Sequence, residues 1–495
     1  MSNMFKHILR VISAAILLFT YAEARSFCGF YVAKADAKLF NNRSEVILIR
    51  DGNRNVITMS SDFKGDLKDF AMVVPVPTVL KESDIKVIER NIFDVLNEYS
   101  APRLVEYHDS NPCGYDRVVT CSASYMMDSN ESMSLEELSV KKTEKHGVKI
   151  EAQYSVEEYD ILILSAKESD GLKIWLNENG YKIPETASDV LDPYIKSNMK
   201  FFVVKVNLNK MKNRKDEYLR PIQISFDHAK FMLPIRLGMA NSQGSQDMIV
   251  YAFTRSGRIE CTNYRTVKLP TDRNIPLYIQ PKFGEFYKSL FDREYNHEGR
   301  NAVFLEYAWN LSPYNYMHCD PCVGPPPVNQ DFVNAGIWWL NEPNQSQQTI
   351  FFTRLHVRYT RDKFPADLQF QVTPNSENFQ CRYILTHPAT GEFTCEAGQE
   401  YLVDLYNRRK REIDEVTALT GWSRSGSATY QNEYNQFIDK STKDKNEKEE
   451  GPHGWLEDFK NNTSKWLLVA AVLLVVVFGM RFRTPSPAGM MVKHH

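Results

Sequence analysis

The chain has 495 residues, with 60 Lys and Arg against 62 Asp and Glu, so its net charge is −2. That near-neutrality removes the basic footprint expected of a nucleic-acid binder, and 43% apolar with 25% charged residues is a globular rather than a disordered composition. The 12% aromatic content favours a β-rich core, and no repeat at a solenoid or propeller period is present.

The N-terminus has the three parts of a secretory signal. Lys6 and Arg10 precede the apolar run 11–20, and Ala22-Glu23-Ala24 supplies small residues two apart. Cleavage is expected after Ala24, so residues 1–24 are read as a signal peptide. The run is too short to span a bilayer. Residues 25–147 then read as an N-terminal β-rich domain or subdomain with a polar excursion. In it, 45–50 and 55–60 are strands flanking the hairpin signal Asp51-Gly52. The apolar run 70–77 is a further strand, and Pro75 and Pro77 push it to a sheet edge or a strand end. Ile85, Ile88, Ile92, Val95, Leu96 and Tyr99 recur at helical spacing, with Pro102 just beyond. Residues 108–147 are polar, carry Cys113 and Cys121, and read as a long excursion.

Residues 148–422 read as an α+β domain. Strands are expected at 148–156, 159–166, 201–208, 222–226, 231–237, 248–255 and 264–269, with Ser256-Gly257 as a turn. Helices are expected at 171–179 and 189–197. The stretch 283–340 is mixed and includes a Cys-containing loop and the run Pro325-Pro326-Pro327. Residues 350–360 alternate as a half-buried strand that puts Arg354, His356 and Arg358 on a basic outer face. Residues 399–420 read as a helix stopped by Gly421.

Residues 423–464 are polar, and the charge run 441–450 (STKDKNEKEE) suits a solvated stalk. The apolar segment 466–480, extended to Phe482, would rise about 26 Å as a helix against a hydrocarbon layer of ~30 Å. Lys465, Arg481 and Arg483 can snorkel and Trp466 suits an interface. Residues 465–482 are therefore read as a single transmembrane helix. Arg481, Arg483 and Lys493, with no acidic residue, place the tail 483–495 in the cytoplasm.

The expected fold class is thus α+β: a β-rich extracytoplasmic region with several helices, then a polar stalk and one C-terminal transmembrane helix. The expected location is the bacterial cytoplasmic membrane, single-pass, with the bulk on the periplasmic or extracellular side.

The words 28–40 (CGFYVAKADAKLF), 70–78 (FAMVVPVPT), 99–107 (YSAPRLVEY), 158–165 (EYDILILS) and 175–181 (WLNENGY) resemble a family of exported bacterial proteins known only as domain of unknown function 2330. The resemblance continues in 233–239 (LPIRLGM), 262–270 (TNYRTVKLP), 319–322 (CDPC) and 353–359 (TRLHVRY), and so covers most of 28–400. It implies a signal-bearing, often membrane-anchored protein, and it assigns no catalytic residue.

All eight cysteines fall in the expected outer region, where disulfides are favoured. Cys113 with Cys121, Cys381 with Cys395, and Cys28 with Cys261 are candidate pairs. His318-Cys319-Asp320-Pro321-Cys322 carries three readings. It can be a small-loop disulfide. It can be a redox dithiol with Cys319 attacking, Cys322 resolving and His318 activating. It can also be a metal site using His318, Cys319, Asp320 and Cys322. Against the redox reading, the prolines at 325–327 cannot start the helix that a thioredoxin-like dithiol opens. Asp227-His228 lacks a nucleophile or metal partner, and no GxSxG or HExxH is present. Arg354, His356 and Arg358, with Arg361, could bind an anion such as a lipid headgroup or cell-wall phosphate, or be a solvated strand side. No cofactor is implied. The sequence reading is a membrane-anchored, non-catalytic binding or structural module, with an envelope protein, a lipid or the cell wall as partner. The alternative is a thiol–disulfide oxidoreductase or metal-binding protein built on 318–322.

Overall fold

The computed structural model describes residues 30–31, 44–60, 71–114, 144–181, 187–211, 219–239, 244–311, 326–342, 349–424 and 430. In chain order its elements begin β1 (Phe30–Tyr31), β2 (Ser44–Asp51), β3 (Arg54–Ser60), β4 (Ala71–Val76), β5 (Ile85–Val87), α1 (Asn91–Ser100), β6 (Arg103–His108), β7 (Glu144–Lys145), β8 (Val148–Val156) and β9 (Tyr159–Ala166). They continue α2 (Ser169–Glu178), α3 (Ala187–Lys196), β10 (Lys200–Val206), α4 (Leu208–Met211), β11 (Ile222–Asp227), β12 (Phe231–Leu233), α5 (Arg236–Met239), β13 (Gln246–Thr254), β14 (Ile259–Cys261), β15 (Arg265–Lys268) and β16 (Arg273–Asn274). The last are α6 (Phe283–His297), β17 (Ala302–Asn310), α7 (Asn329–Ala335), β18 (Phe351–Tyr359), β19 (Leu368–Val372), β20 (Phe379–Gln380), β21 (Arg382–His387) and α8 (Glu396–Thr420).

The chain divides into two compact units. The first takes Met1–His108, Thr120–His387 and Glu415–Ser423, and the second takes Asp109–Val119, Pro388–Asp414 and Arg424–His495. Strands from either side of residue 147 pair in the same sheets, so the first unit takes in most of both segments that the sequence separates.

The first unit is a β-rich α+β body. Its nine-stranded sheet has the order β15-β17-β18-β13-β2-β3-β11-β5, with β20 also paired to β17. The central strands are continuous apolar runs, and Val46, Ile47, Leu48 and Ile49 of β2 are all inaccessible to solvent. Such runs belong to strands covered on both faces. On one face Val46, Leu48, Val250 and Ala252 share a core with Met72, Val74, Ile161, Ile163 and Phe202 of the six-stranded sheet β1-β4-β10-β9-β8-β7. On the other, Ile47, Ile49, Ile249 and Phe253 pack against Ile92, Phe93 and Leu96 of α1 and Phe332 of α7. The far side of the six-stranded sheet packs Val73, Leu164, Phe201 and Val203 against Leu172 and Leu176 of α2 and Leu191 of α3. The layers therefore run helix, sheet, sheet, helix.

Several expectations hold. The Asp51-Gly52 hairpin forms, with Asp51 opposite Arg54. The two short helices appear as α2 and α3. Gly421 ends α8 at a positive φ of 76° while donating to the Thr417 carbonyl. β4 lies between β1 and β10, but Phe30 and Tyr31 pair only with Val73 and Met72, so Pro75 sits past that ladder near the strand end.

Two expectations are corrected. Ile85–Val87 is a strand, not the first turn of a helix, because Ile222 and Ile224 of β11 offer it ladder partners. The expected strand 231–237 stops at Leu233 and passes into α5. The mixed stretch 283–340 contains a long helix, α6, and a sheet strand, β17. Gly257, in the predicted turn, approaches the Thr373 carbonyl oxygen so closely that a Cβ would lie 2.2 Å from it. Gly257→Ala is therefore expected to cost about 1–3 kcal/mol, read from urea unfolding. A loss below measurement error would contradict the close approach.

In the second unit, residues before and after the long first-unit excursion are held together. Cys113 is bonded to Cys395, and Asp109 accepts from Arg408 Nη2 at 2.6 Å and from the Tyr401 hydroxyl at 2.7 Å.

Candidate functional site

Among the described residues of the first unit, a dense set of charged groups lies at the junction of β13, β17, β18 and α6. β18 alternates, so Arg354, His356 and Arg358 share one face. The adjacent strands place Tyr251 and Tyr307 opposite Arg354, and Asp247 opposite Arg358. β17 carries an irregularity between Leu305 and Tyr307, so that two successive partners of β18 straddle Glu306. A bulge of this kind re-aims a side chain. Here it accompanies a Glu306 carboxylate that reaches both Arg354 and His356.

Glu306 accepts from Arg354 Nε at 2.5 Å and from His356 Nδ1 at 2.9 Å, and it also accepts from the Tyr287 hydroxyl of α6. Asp247 accepts from His356 Nε2 at 2.9 Å and from Arg358 Nε at 2.8 Å. Arg358 donates onward to Asp292 of α6. Arg354 Nη1 donates to Asn97 Oδ1 at 3.0 Å and to the Ser100 hydroxyl at 3.3 Å, both on α1. Phe291 of α6 stacks on the His356 ring with centroids 3.9 Å apart. Phe304 of β17 meets the Phe291 ring edge-on at 5.0 Å. Glu306 and Arg354 are 1% and 3% exposed.

Both ring nitrogens of His356 face carboxylate oxygens, and a carboxylate can only accept. The ring is therefore a doubly donating imidazolium. Three cations (Arg354, His356, Arg358) then meet three carboxylates (Glu306, Asp247, Asp292), and the seam is neutral. Burial by itself would lower the His356 pKa, but Glu306 and Asp247 more than offset it and the pKa is raised. Burial would likewise raise the carboxyls of Glu306 and Asp247. Arg354 and His356 outweigh it for Glu306, His356 and Arg358 for Asp247, and both are held well below the usual range. Beside this seam Cys381 is fully buried, and burial pushes its thiol far up, which makes it a poor nucleophile.

The structure corrects the expected outer basic face. Arg354 is buried, His356 and Arg358 are largely so, and all three are neutralised by carboxylates of the same chain, so they do not present free cations to an external anion. Arg361 is exposed and lies 3.5 Å from Asp189. The disulfide pairs are corrected too. Cys113 bonds to Cys395, while Cys261 and Cys381 are free and buried. His228 is a turn residue whose Nδ1 accepts from the Lys230 amide and whose carbonyl accepts from Arg50 Nη1 at 2.7 Å. Cys28, Cys121, His318, Cys319, Asp320 and Cys322 lie outside the described residues, as do the signal segment, the stalk and the apolar segment 466–480. Among the described residues no helix is long and apolar enough to cross a membrane, and no group of His, Cys, Asp and Glu is placed to hold a metal.

Sequence reading missed Glu306, Asp247, Asp292 and Tyr287. The available signal was the lone carboxylate in the apolar run 302–309 (AVFLEYAW), which needs a buried cation as partner.

Fold and seam together define a β-rich α+β protein in which one set of buried charges joins a helix to a sheet. The chain belongs to a family described as an uncharacterized protein conserved in bacteria (DUF2330), whose profile matches residues 22–371. No curated protein and no solved structure matches it.

Proposed function

We propose that this chain is an exported bacterial envelope protein. Its folded part works on the outer side of the cytoplasmic membrane as a non-catalytic binding or structural module. It is held there by the polar stalk 423–464 and one C-terminal helix within 465–482.

The observation that carries this reading is the Cys113–Cys395 bond, which joins residues 282 apart in sequence. Disulfides of this kind persist in oxidising compartments and are rare in the bacterial cytosol. The export-type segment 11–20 and the apolar segment 466–480 agree with it, as does membership of a family conserved in bacteria. The non-catalytic part rests on the seam. Its carboxylates, guanidinium groups and imidazole are all engaged with one another, which leaves them for packing rather than for substrate.

The full chain, tagged after His495, is to be expressed in bacteria and treated with protease as intact spheroplasts. The folded part is expected to be cleaved and the tag to stay protected. Protection of the folded part until the membrane is opened would refute the topology. Turnover of an ester substrate by the purified chain, lost on His substitution, would refute the non-catalytic assignment.

A further inference from the structure

The Cys113–Cys395 bond has features that a purely structural crosslink does not require. Both residues are only half-buried, with Pro112, Gly114, Thr394 and Glu396 exposed beside them. Cys395 directly precedes α8, and its carbonyl accepts the first helical bond from the Gln399 amide at 3.1 Å. Its Sγ accepts from the Gly398 amide at 3.3 Å. Gly398 is buried against the bond, where a Cβ would lie 2.5 Å from Cys113 Sγ and 2.9 Å from Phe393 Cα. The sulfur of Cys395 thus occupies the capping position of a long helix and takes an amide hydrogen bond. A thiolate formed there is stabilised by the helix N-terminus and by that amide. Cys113 Sγ accepts only from the Cys395 amide at 3.4 Å among the bonds described. The nearby carboxylates of Glu392 and Glu396 are exposed and solvated, which weakens their opposing effect.

The second observation concerns what remains when the bond opens. Asp109 stays bound to Arg408 and Tyr401, and Asn111 Nδ2 donates to the Thr390 carbonyl at 2.9 Å. Asn111 Oδ1 also accepts from the Cys113 amide at 2.9 Å. These contacts keep the two sulfurs close after reduction, so re-formation is intramolecular and fast.

We propose that Cys113–Cys395 is a reversible thiol–disulfide exchange site of fixed polarity, in which Cys113 is the sulfur attacked and Cys395 the sulfur that leaves. The co-reactant is a dithiol. One of its thiolates attacks Cys113 Sγ, the Cys113–Cys395 bond breaks, and its electron pair departs on Cys395 Sγ as thiolate. The second thiol, deprotonated, then attacks the mixed disulfide and releases Cys113 as thiolate. The dithiol ends oxidised by two electrons, and the protein gains two electrons and, on protonation, two protons. A poorer leaving thiol at Cys113 makes the opposite polarity slower.

The test uses the purified full chain without denaturant. Dithiothreitol is to open the bond, iodoacetamide at pH 6 is to label it briefly, and peptide mapping is to locate the label. Cys395 is expected to react several-fold faster than Cys113, about threefold for each unit of thiol pKa once the gain in thiolate is set against its lower nucleophilicity. Cys261 and Cys381 should stay unlabelled, which shows that the fold has survived. A monothiol such as glutathione should leave its mixed disulfide on Cys113. Removing dithiothreitol in air should restore the bond. A bond that opens only with unfolding, faster labelling of Cys113, or glutathione trapped on Cys395 would each overturn the proposal. Cys113→Ser provides a second route: Cys395 should keep its fast labelling at pH 6, and an ordinary thiol rate there would remove the polarity. None of these outcomes depends on where the chain resides.

Discussion

Glu306→Gln is expected to destabilise the folded chain by about 3–5 kcal/mol, the cost of removing one partner from a buried charge set. The substitution keeps the shape and leaves an oxygen for the Tyr287 hydroxyl. It removes the charge that faces Arg354 Nε and His356 Nδ1. Arg354 is 3% exposed and cannot recover by solvation. The second substitution Arg354→Met separates the pair from the site. Alone it strands Glu306 and should cost a similar amount. In Glu306→Gln/Arg354→Met no unpaired charge from that pair is left, so the loss should fall short of the sum by at least about 1 kcal/mol. Urea unfolding of the purified full chain gives all three values. A single-variant loss under about 1 kcal/mol, the range of ordinary surface changes, would mean that the seam is solvated rather than buried.

The sequence carried the strands whose pattern is local and lost those whose reason is distant. β2 and β3 were readable because Asp51-Gly52 marks the turn and both flanks are apolar. α8 was readable because Gly421 stops it. β5 was not, since Ile85, Ile88 and Ile92 fit a helical spacing and only the distant Ile222 and Ile224 draw residues 85–87 into a ladder. The candidate site shows the same division. Alternation along β18 put Arg354, His356 and Arg358 on one face, as the structure has them. Alternation says nothing of what covers a face, so their exposure was misjudged. The covering helix α6 mixes Phe286, Leu290, Phe291 and Tyr295 with charges, and β17 hides a bulge at Glu306 that no spacing rule marks. Cys113 and Cys395 are likewise out of reach of local reasoning. Their sequence separation of 282 makes any nearer cysteine look the better partner.

The second large effect is a pH dependence set by His356. Its pKa is raised in the folded chain above the ordinary value of about 6.5. A group of this kind contributes stability that is fully present below pH ~6.5 and is lost as pH rises through the folded pKa. Asp247 and Glu306 have the opposite sign. Their pKa values are depressed, so their contribution is present above pH ~4 and is lost as pH falls through the folded values. The groups facing His356 are Glu306 from β17, Asp247 from β13, Arg354 and Arg358 from its own strand, and Asp292, Tyr287 and Tyr295 from α6. Through this range the arginines stay cationic and the tyrosines neutral, because burial raises Tyr287 and Tyr295 further. Alkaline weakening at the seam therefore belongs to the imidazole. His356→Gln is expected to be less stable than the parent at pH 5.5, and the gap should shrink steadily towards pH 9. The change should amount to about 1.4 kcal/mol for each unit by which folding raises the pKa. Urea midpoints across that range measure it. A gap independent of pH would mean that His356 is not the imidazolium the two carboxylates require. The ring nitrogens supply an independent reading: at neutral pH their nitrogen resonances should both be those of protonated sites. Loss of the second proton would leave a bare nitrogen lone pair against Glu306 or Asp247, and with it the contact that holds Phe291 and α6 over the sheet.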